Sequence, residues 1–173
     1  WVYIIQNDYN QKMKKILAVI PAKQKSTRLI NKNLRKFSKS SLLEISISEA
    51  LKSKYISDVC VSSDSNKILS LNKKYPIISI RRPKKLCNNK IMPDYAVLHA
   101  VENIKKKFDY VVMLQPTTPF RKSSHIDKAI KLIINSKSDS LLSVFKTTLF
   151  IWGKKGKYYK FLNYNYLKRP RSQ

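Results

Sequence analysis

The amino-acid sequence predicts an α/β fold: a mostly parallel sheet with helices on both faces, followed by a hairpin. Three observations carry this reading. Uninterrupted apolar runs such as "ILAVI" (16–20) and "YVVMLQ" (110–115) have the character of strands buried on both faces. Between such runs, apolar residues recur at helical spacing, as Leu43, Ile47, Ala50 and Leu51 do. The two patterns alternate along the chain, which is the signature of parallel strands joined by helical crossovers.

Taken in order, "ILAVI" is the first strand and a basic loop follows it. Ser40 or Ser41 then caps the helix carrying Leu43 to Leu51. "DVCVSS" (58–63) is a second strand, and Ser63 or Asp64 caps a helix bearing Ile68, Leu69 and Leu71. "PIISI" (76–80) is a third strand. Asp94 caps a helix with Val97, Ala100, Val101 and Ile104 on one face. After the fourth strand (110–115), Ser123 or Ser124 opens a helix lined by Ile126, Ala129, Ile130 and Ile133. "SLLSVF" (140–145) reads as a fifth strand, and "WGKKGKYY" (152–159) as a hairpin with both glycines at its bend.

The chain has 173 residues and is 43% hydrophobic, enough for one domain with a real core. No apolar run approaches the roughly 20 residues of a membrane span, and the first residues lack the pattern of a secretion signal. A cytoplasmic protein is the expectation. Met13 precedes "KKILAVIPA" and reads as a natural start, leaving residues 1–12 as an extension of uncertain meaning and 13–173 as the domain. The end, "YLKRPRSQ", has no helix stop, so the domain reads as incomplete at its C-terminus. Cys60 and Cys87 lie in unlike settings and read as reduced thiols. His99 and His125 stand alone, without metal-ligand spacing, and read as structural.

The net charge of +26 suits nucleic-acid binding, but the lysines are scattered through every segment rather than gathered into a stripe. Such a field also attracts nucleotides and acidic sugars. In a parallel sheet, ligands bind outside the carboxyl ends of the strands, so the loops there are the candidates. In "PAKQKSTRLINKN" (21–33), Lys23, Lys25, Arg28 and Lys32 supply positive charge, and Ser26, Thr27 and Asn33 supply hydrogen bonds. That is equipment for a triphosphate. Arg81 and Arg82 open a second loop, and "QPTTPFRKSS" (115–124) is a third, stiffened by Pro116 and Pro119. A rigid backbone there suits Gln115, whose amide can be held at a fixed distance from a substrate. The tyrosines 158, 159, 164 and 166 read as packing for a hairpin or a dimer contact, and alternatively as a platform for stacked bases.

These residues resemble the acylneuraminate cytidylyltransferase family, the CMP–sialic acid synthetases and their relatives. "IPAKQKSTRLINKN" (20–33) is similar to the family's opening signature I-P/L-A-R-x-x-S-x-x-L-x-x-K-N, and "VSSD" (61–64) to its V-S-T-D. "RRP" (81–83) is similar to L-R-P, "LQPTTPFR" (114–121) to L-Q-P-T-S-P-L-R, and "RPRSQ" (169–173) to R/Q-P-R-x-Q. Lys23 stands in place of the family's Arg, Ile30 in place of a common Pro, and "CNNKIMPD" (87–94) lacks S-D-T-x-S-S, although Pro93-Asp94 match some relatives.

The resemblance implies a Rossmann-like nucleotidyltransferase three-layer sandwich with a C-terminal hairpin or dimerisation extension, and a homodimer. It implies transfer of CMP from CTP, with magnesium, to the anomeric hydroxyl of a sialic-acid-like nonulosonic acid. Carried over residue by residue, Lys32 and Lys23 would be catalytic. Ala22, Lys23, Ser26, Asn33 and Arg82 would bind the nucleotide, and Gln115 the acceptor. The family's metal-binding Asp pair follows the segment resembled by "RPRSQ" and would therefore lie beyond Gln173, so no metal ligand is expected within this chain. The alternatives are a related nucleotidyltransferase for another acidic sugar, of the 3-deoxy-octulosonate type, and a basic nucleic-acid-binding domain without catalysis.

Overall fold

The computed structural model describes residues 14–24, 29, 31–88, 90–144, 146 and 151–163. The expectations for residues 1–13, for Lys25, Ser26, Thr27, Arg28 and Ile30, for Tyr164 and Tyr166, and for "RPRSQ" through Gln173 lie outside them. The chain groups into two units, one ending at Ser143 and one starting at Val144.

In the first unit four strands form one parallel sheet: β1 (Ile16–Pro21), β4 (Asp58–Ser63), β5 (Ile78–Arg81) and β6 (Tyr110–Met113). The spatial order is β5-β4-β1-β6. The chain therefore builds outward from β1 to β4 and β5, then returns to the other side of β1 with β6. This reversal makes the carboxyl ends of β1 and β6 a topological switch point, where loops diverge and leave a crevice.

Strand alternation sorts the core into two layers. Ile16, Ala18 and Ile20 face one side, against Leu43 and Ile47 of α1 (Leu42–Leu51), Ile68 of α2 (Asn66–Leu69), and Ile126, Ile130 and Ile133 of α4 (Ser123–Ser136). Leu17 and Val19 face the other, against Val97 and Ala100 of α3 (Pro93–Asn103). Helices thus cover both faces, as the strand composition predicts. A short antiparallel ribbon, β2 (Lys36–Phe37) with β3 (Ser40–Ser41), leads into α1.

Helix entry is set by local chemistry. Ser41 caps α1: its Oγ accepts from the Glu44 N–H at 3.2 Å, and its own N–H donates to Glu44 Oε2 at 3.0 Å. Glu44 also accepts from Lys74 Nζ at 2.8 Å and from the Tyr75 hydroxyl at 3.2 Å. The Lys74 ammonium and the Ser41 N–H hold the Glu44 carboxyl at about 2, below its ordinary 4.5. A depressed carboxyl stabilises the fold fully above its unfolded value, and the contribution fades as pH falls through the folded one. Urea midpoints from about pH 5 down to about pH 2 are therefore expected to drop more steeply for the wild type than for Glu44→Gln, which keeps the cap but not the charge. Parallel slopes would remove this role.

Several boundaries differ from the sequence reading. The N-cap position of α2 is Ser65, not Ser63 or Asp64, with no side-chain capping bond, and the helix continues as a 3-10 turn, Ser70–Lys73. Helix α3 starts at Pro93, with Asp94 inside its first turn, because proline's fixed φ suits that position. Helix α4 starts at Ser123, as the sequence reading has it, and the Ser123 N–H donates to Glu49 Oε2 at 2.8 Å. The predicted fifth strand is not formed over 140–144, where Leu142 and Val144 are exposed. Its apolar letters pair with no described strand, although β5 and β6 are open edges of the sheet.

In the second unit, β7 (Trp152–Lys155) and β8 (Tyr158–Phe161) form an antiparallel hairpin. Gly156 makes the turn with φ +63°, a conformation that favours glycine. Gly153 is not at the bend; it lies within β7, where an added Cβ would meet a Leu162 methyl carbon at 2.8 Å. Trp152 packs on Phe161 with ring centroids 3.9 Å apart, whereas Tyr158 and Tyr159 are exposed.

Candidate active site

The cleft at the switch point is built from three loops. The first leaves β1 at Pro21. Ala22 is fully buried, and its N–H donates to the Ser62 carbonyl at 2.9 Å, which extends the sheet bonding by one residue. Ala22 therefore belongs to the core and does not line the cleft; it presents Lys23. The Gln24 N–H donates to Asp64 Oδ1 at 2.7 Å, so the start of the loop is tied to the end of β4. The loop's far end is tied back to its beginning: Asn33 Nδ2 donates to the Lys23 carbonyl at 2.9 Å. Asn31, at φ 52°, turns the chain into the 3-10 segment Lys32–Leu34, which sets Lys32 beside Asn33.

The second loop follows β5. Arg82 is only 5% exposed, and its guanidinium donates to the Ser62 carbonyl at 2.6 Å and to Ser62 Oγ at 3.2 Å. Burial lowers its pKa, with Cys87 and Asp64 acting the other way. The third loop follows β6 and carries Gln115. Around one cavity of about 180 Å³ these loops bring together Lys23, Lys32, Asn33, Arg82 and Gln115, with Asn88 and Thr117 at the same wall. Apolar surface comes from Leu86, Ile91 and Met92. Lys23, Asn33 and Arg82, expected for the nucleotide, and Lys32, expected to be catalytic, thus share one cavity with the amide expected for an acceptor. Ser26 lies outside the described residues.

Arg121 is a part of the site that sequence reasoning left without a role. It is 8% exposed, and its guanidinium donates to the Gln115 carbonyl at 3.3 Å and to Ser46 Oγ at 3.2 Å. Its Nε has no partner among the described residues. Burial pushes its pKa down to about 10, against the pull of Glu49, so it remains charged at neutral pH. The signal was present in "PFR", an arginine between a strand and a helix, but its burial depends on α1 packing alongside. Nearby, Phe37 meets Phe120 edge-on, with centroids 5.8 Å apart, linking the ribbon that follows Lys32 to the loop that carries Gln115.

Metal ligation is a different matter. Among the described residues no three His, Cys, Asp or Glu side chains are grouped to hold a metal ion. Asp64 is already engaged with the Gln24 N–H, and Asp94 does not line the cavity. The described residues do not fit a magnesium site. Gln173, beyond which the resemblance sets the Asp pair, is outside the described residues, and so is that expectation. The two thiols are free; burial pushes Cys60 up to about 12 and also raises Cys87. No helix among the described residues is long and apolar enough to cross a membrane.

A parallel sheet covered by helices on both faces, with a basic, amide-lined cavity at its switch point, is a Rossmann-like α/β architecture, and solved nucleotidyltransferase structures share the fold. CMP:2-keto-3-deoxy-manno-octonic acid synthetase complexed with CTP superposes with a TM-score of 0.63 at 16% identity, covering 72% of this chain and 49% of the other. The 4-diphosphocytidyl-2C-methyl-D-erythritol synthase of Anaerococcus prevotii does so with a TM-score of 0.65, also at 16% identity, covering 87% and 64%. The sequence profile of the family described as Cytidylyltransferase matches residues 17–169, and the chain belongs to that family.

Among curated relatives, the chain is 36% identical to the N-acylneuraminate cytidylyltransferase of Escherichia coli over 118 residues, covering 68% of this chain and 28% of the relative. It is 34% identical to the CMP-N,N'-diacetyllegionaminic acid synthase of Legionella pneumophila over 126 residues, covering 68% and 53%. A pseudaminic acid cytidylyltransferase of Campylobacter jejuni is 29% identical over 136 residues, covering 75% and 57%. The chain thus spans between about a quarter and three fifths of the length of these relatives.

Proposed function

We propose that this chain carries the nucleotide-binding part of an enzyme that transfers CMP from CTP to the anomeric hydroxyl of a sialic-acid-like nonulosonic acid. One observation carries the reading: Lys23, Lys32, Asn33 and Arg82 line the same cavity as Gln115. In the reaction, the sugar hydroxyl oxygen bonds to the α-phosphorus of CTP and its proton passes to solvent. The bond to pyrophosphate breaks, and pyrophosphate keeps the electron pair. Phosphoryl transfer of this kind depends mainly on alignment and on fixed positive charge. Lys23 and Lys32 supply that charge, Asn33 holds the loop closed, and the Gln115 amide, which makes no side-chain hydrogen bond among the described residues, is available to the acceptor. Magnesium is implied by the resemblance, and among the described residues no group of three His, Cys, Asp or Glu side chains could hold it.

The acceptor class rests on the relatives, whose names concern sialic, legionaminic and pseudaminic acids. The 3-deoxy-octulosonate alternative has only fold likeness behind it. The purified protein incubated with CTP, magnesium and, in turn, each of these nonulosonic acids and 3-deoxy-octulosonate is expected to release pyrophosphate with at least one of the nonulosonic acids. Release only with 3-deoxy-octulosonate would favour the alternative, and no release with any would reject the reading.

A further inference from the structure

Gln115 is the first residue to leave the sheet after β6. The Leu114 N–H still donates to the Val19 carbonyl at 2.9 Å, and Leu114 is fully buried, so the ladder holds up to that point. Gln115 itself is half-buried, and Pro116, which follows it, disfavours helical backbone there. Its carbonyl accepts from the Thr118 N–H at 3.4 Å and from the Arg121 guanidinium at 3.3 Å. The Arg121 N–H in turn donates to the Thr118 carbonyl at 3.3 Å. Residues 115–121 thus close on themselves, with the guanidinium folded back to the residue that opens the loop. Arg121 does not line the cavity that holds Gln115, so its contact with the site runs through Gln115.

We propose that Arg121 is a positioning residue for the acceptor: it holds the Gln115 backbone against α1 and so sets where the Gln115 amide stands relative to Lys32. The proposal rests on the reading of Gln115 as the amide that meets the acceptor.

The guanidinium is anchored at its other end. Its second donor reaches Ser46 Oγ at 3.2 Å, and Ser46 is buried in the middle of α1. Helix α1 also lies against the 3-10 turn Lys32–Leu34, and its Leu43 and Ile47 belong to the core beside Ile16, Ala18 and Ile20 of β1. One helix therefore backs both the turn that carries Lys32 and the loop that carries Gln115. Farther along α1, Glu49 accepts from the Ser123 N–H, where α4 begins. The loop is thus tied to α1 at its opening residue through Arg121 and just past its end through Glu49.

The chemistry of the position points the same way. An apolar side chain of similar size would fill this space without taking a charge out of water. Arg121 is buried instead, its Nε has no partner, and it makes no ion pair among the described residues. What it does that an apolar chain cannot is donate twice from one rigid plane, to a loop carbonyl and to a helix hydroxyl. Such rigidity matters for alignment, since a misplacement of about 1 Å can lower a rate about a hundredfold.

The test uses Arg121→Met, which keeps an unbranched chain in the space and removes both donors. The variant is assayed at a temperature where circular dichroism shows it folded. Acceptor KM is expected to rise about tenfold or more, with CTP KM within about twofold of wild type. A merely structural defect lowers the active fraction, which reduces apparent kcat and leaves both KM values in place. In a Gln115→Ala background, Arg121→Met should change acceptor KM by less than about twofold, because the amide it positions is gone. Independently of turnover, the Gln115 side-chain amide signals in a nitrogen–proton NMR spectrum should shift in Arg121→Met, whereas those of Asn33 stay in place. A wild-type acceptor KM or an unmoved Gln115 signal in Arg121→Met overturns the proposal, as does an equal rise of KM in the Gln115→Ala background. If the wild type releases no pyrophosphate with any acceptor, the proposed transfer fails and the amide signal alone decides the positioning role.

Discussion

Replacing Arg121 by alanine is expected to lower the stability of the α/β unit by about 2–4 kcal/mol, read as a lower urea midpoint with an unchanged slope. The guanidinium is buried and fills space between α1 and the loop after β6, so its loss leaves a void. It also strands the Gln115 carbonyl and the Ser46 hydroxyl, both of which it now satisfies. Two effects oppose this. Removing a desolvated charge with an unpartnered Nε relieves part of its own cost, and the Gln115 carbonyl keeps the Thr118 N–H at 3.4 Å. Void and stranded groups outweigh them because both losses occur in the packed interior. Arg121→Lys keeps the charge but not the planar fork, and it should fall between wild type and alanine. An alanine variant with the wild-type midpoint would show that the buried arginine is dispensable.

Lys32→Ala is expected to lower CMP transfer by about a hundred- to a thousandfold, the usual cost of removing one fixed group that stabilises charge in the transition state. Lys32 sits on the 3-10 turn with Asn33 behind it, half-buried at the cavity wall. Its side chain makes no hydrogen bond or ion pair with another described residue, so truncation removes charge without opening the core. The thermal midpoint should therefore move little while turnover collapses. Lys131→Ala on α4 makes the same change of net charge far along the chain from the loops, and it should keep its turnover. Turnover within about twofold of wild type for Lys32→Ala would strip Lys32 of its assigned part.

The strands and helices that hold the site were legible because their signals are local. "ILAVI" and "DVCVSS" are buried strands in the structure, and the α1 cap at Ser41 follows from Ser41 and Glu44 at capping-box spacing. The misreadings came where tertiary neighbours decide. Over 140–144 the letters suit a strand, but a strand forms only where the chain is brought alongside a sheet edge, and this segment pairs with none of the described strands. Gly153 reads as turn material, yet it sits in β7 paired with Lys160, where an added Cβ would crowd Leu162.

The sequence by itself determined the alternation of buried strands and amphipathic helices, the basic loop after the first strand and the residue types available for an anionic ligand. Those depend on neighbours within a few residues. Only the tertiary structure decided that β6 returns beside β1, which brings Gln115 into the same cavity as Lys23 and Lys32. It also buried Arg82 and Arg121 as supports and placed Ala22 in the core behind the cleft. These features join residues tens of positions apart, and burial, pairing and cavity shape exist only once distant segments have packed.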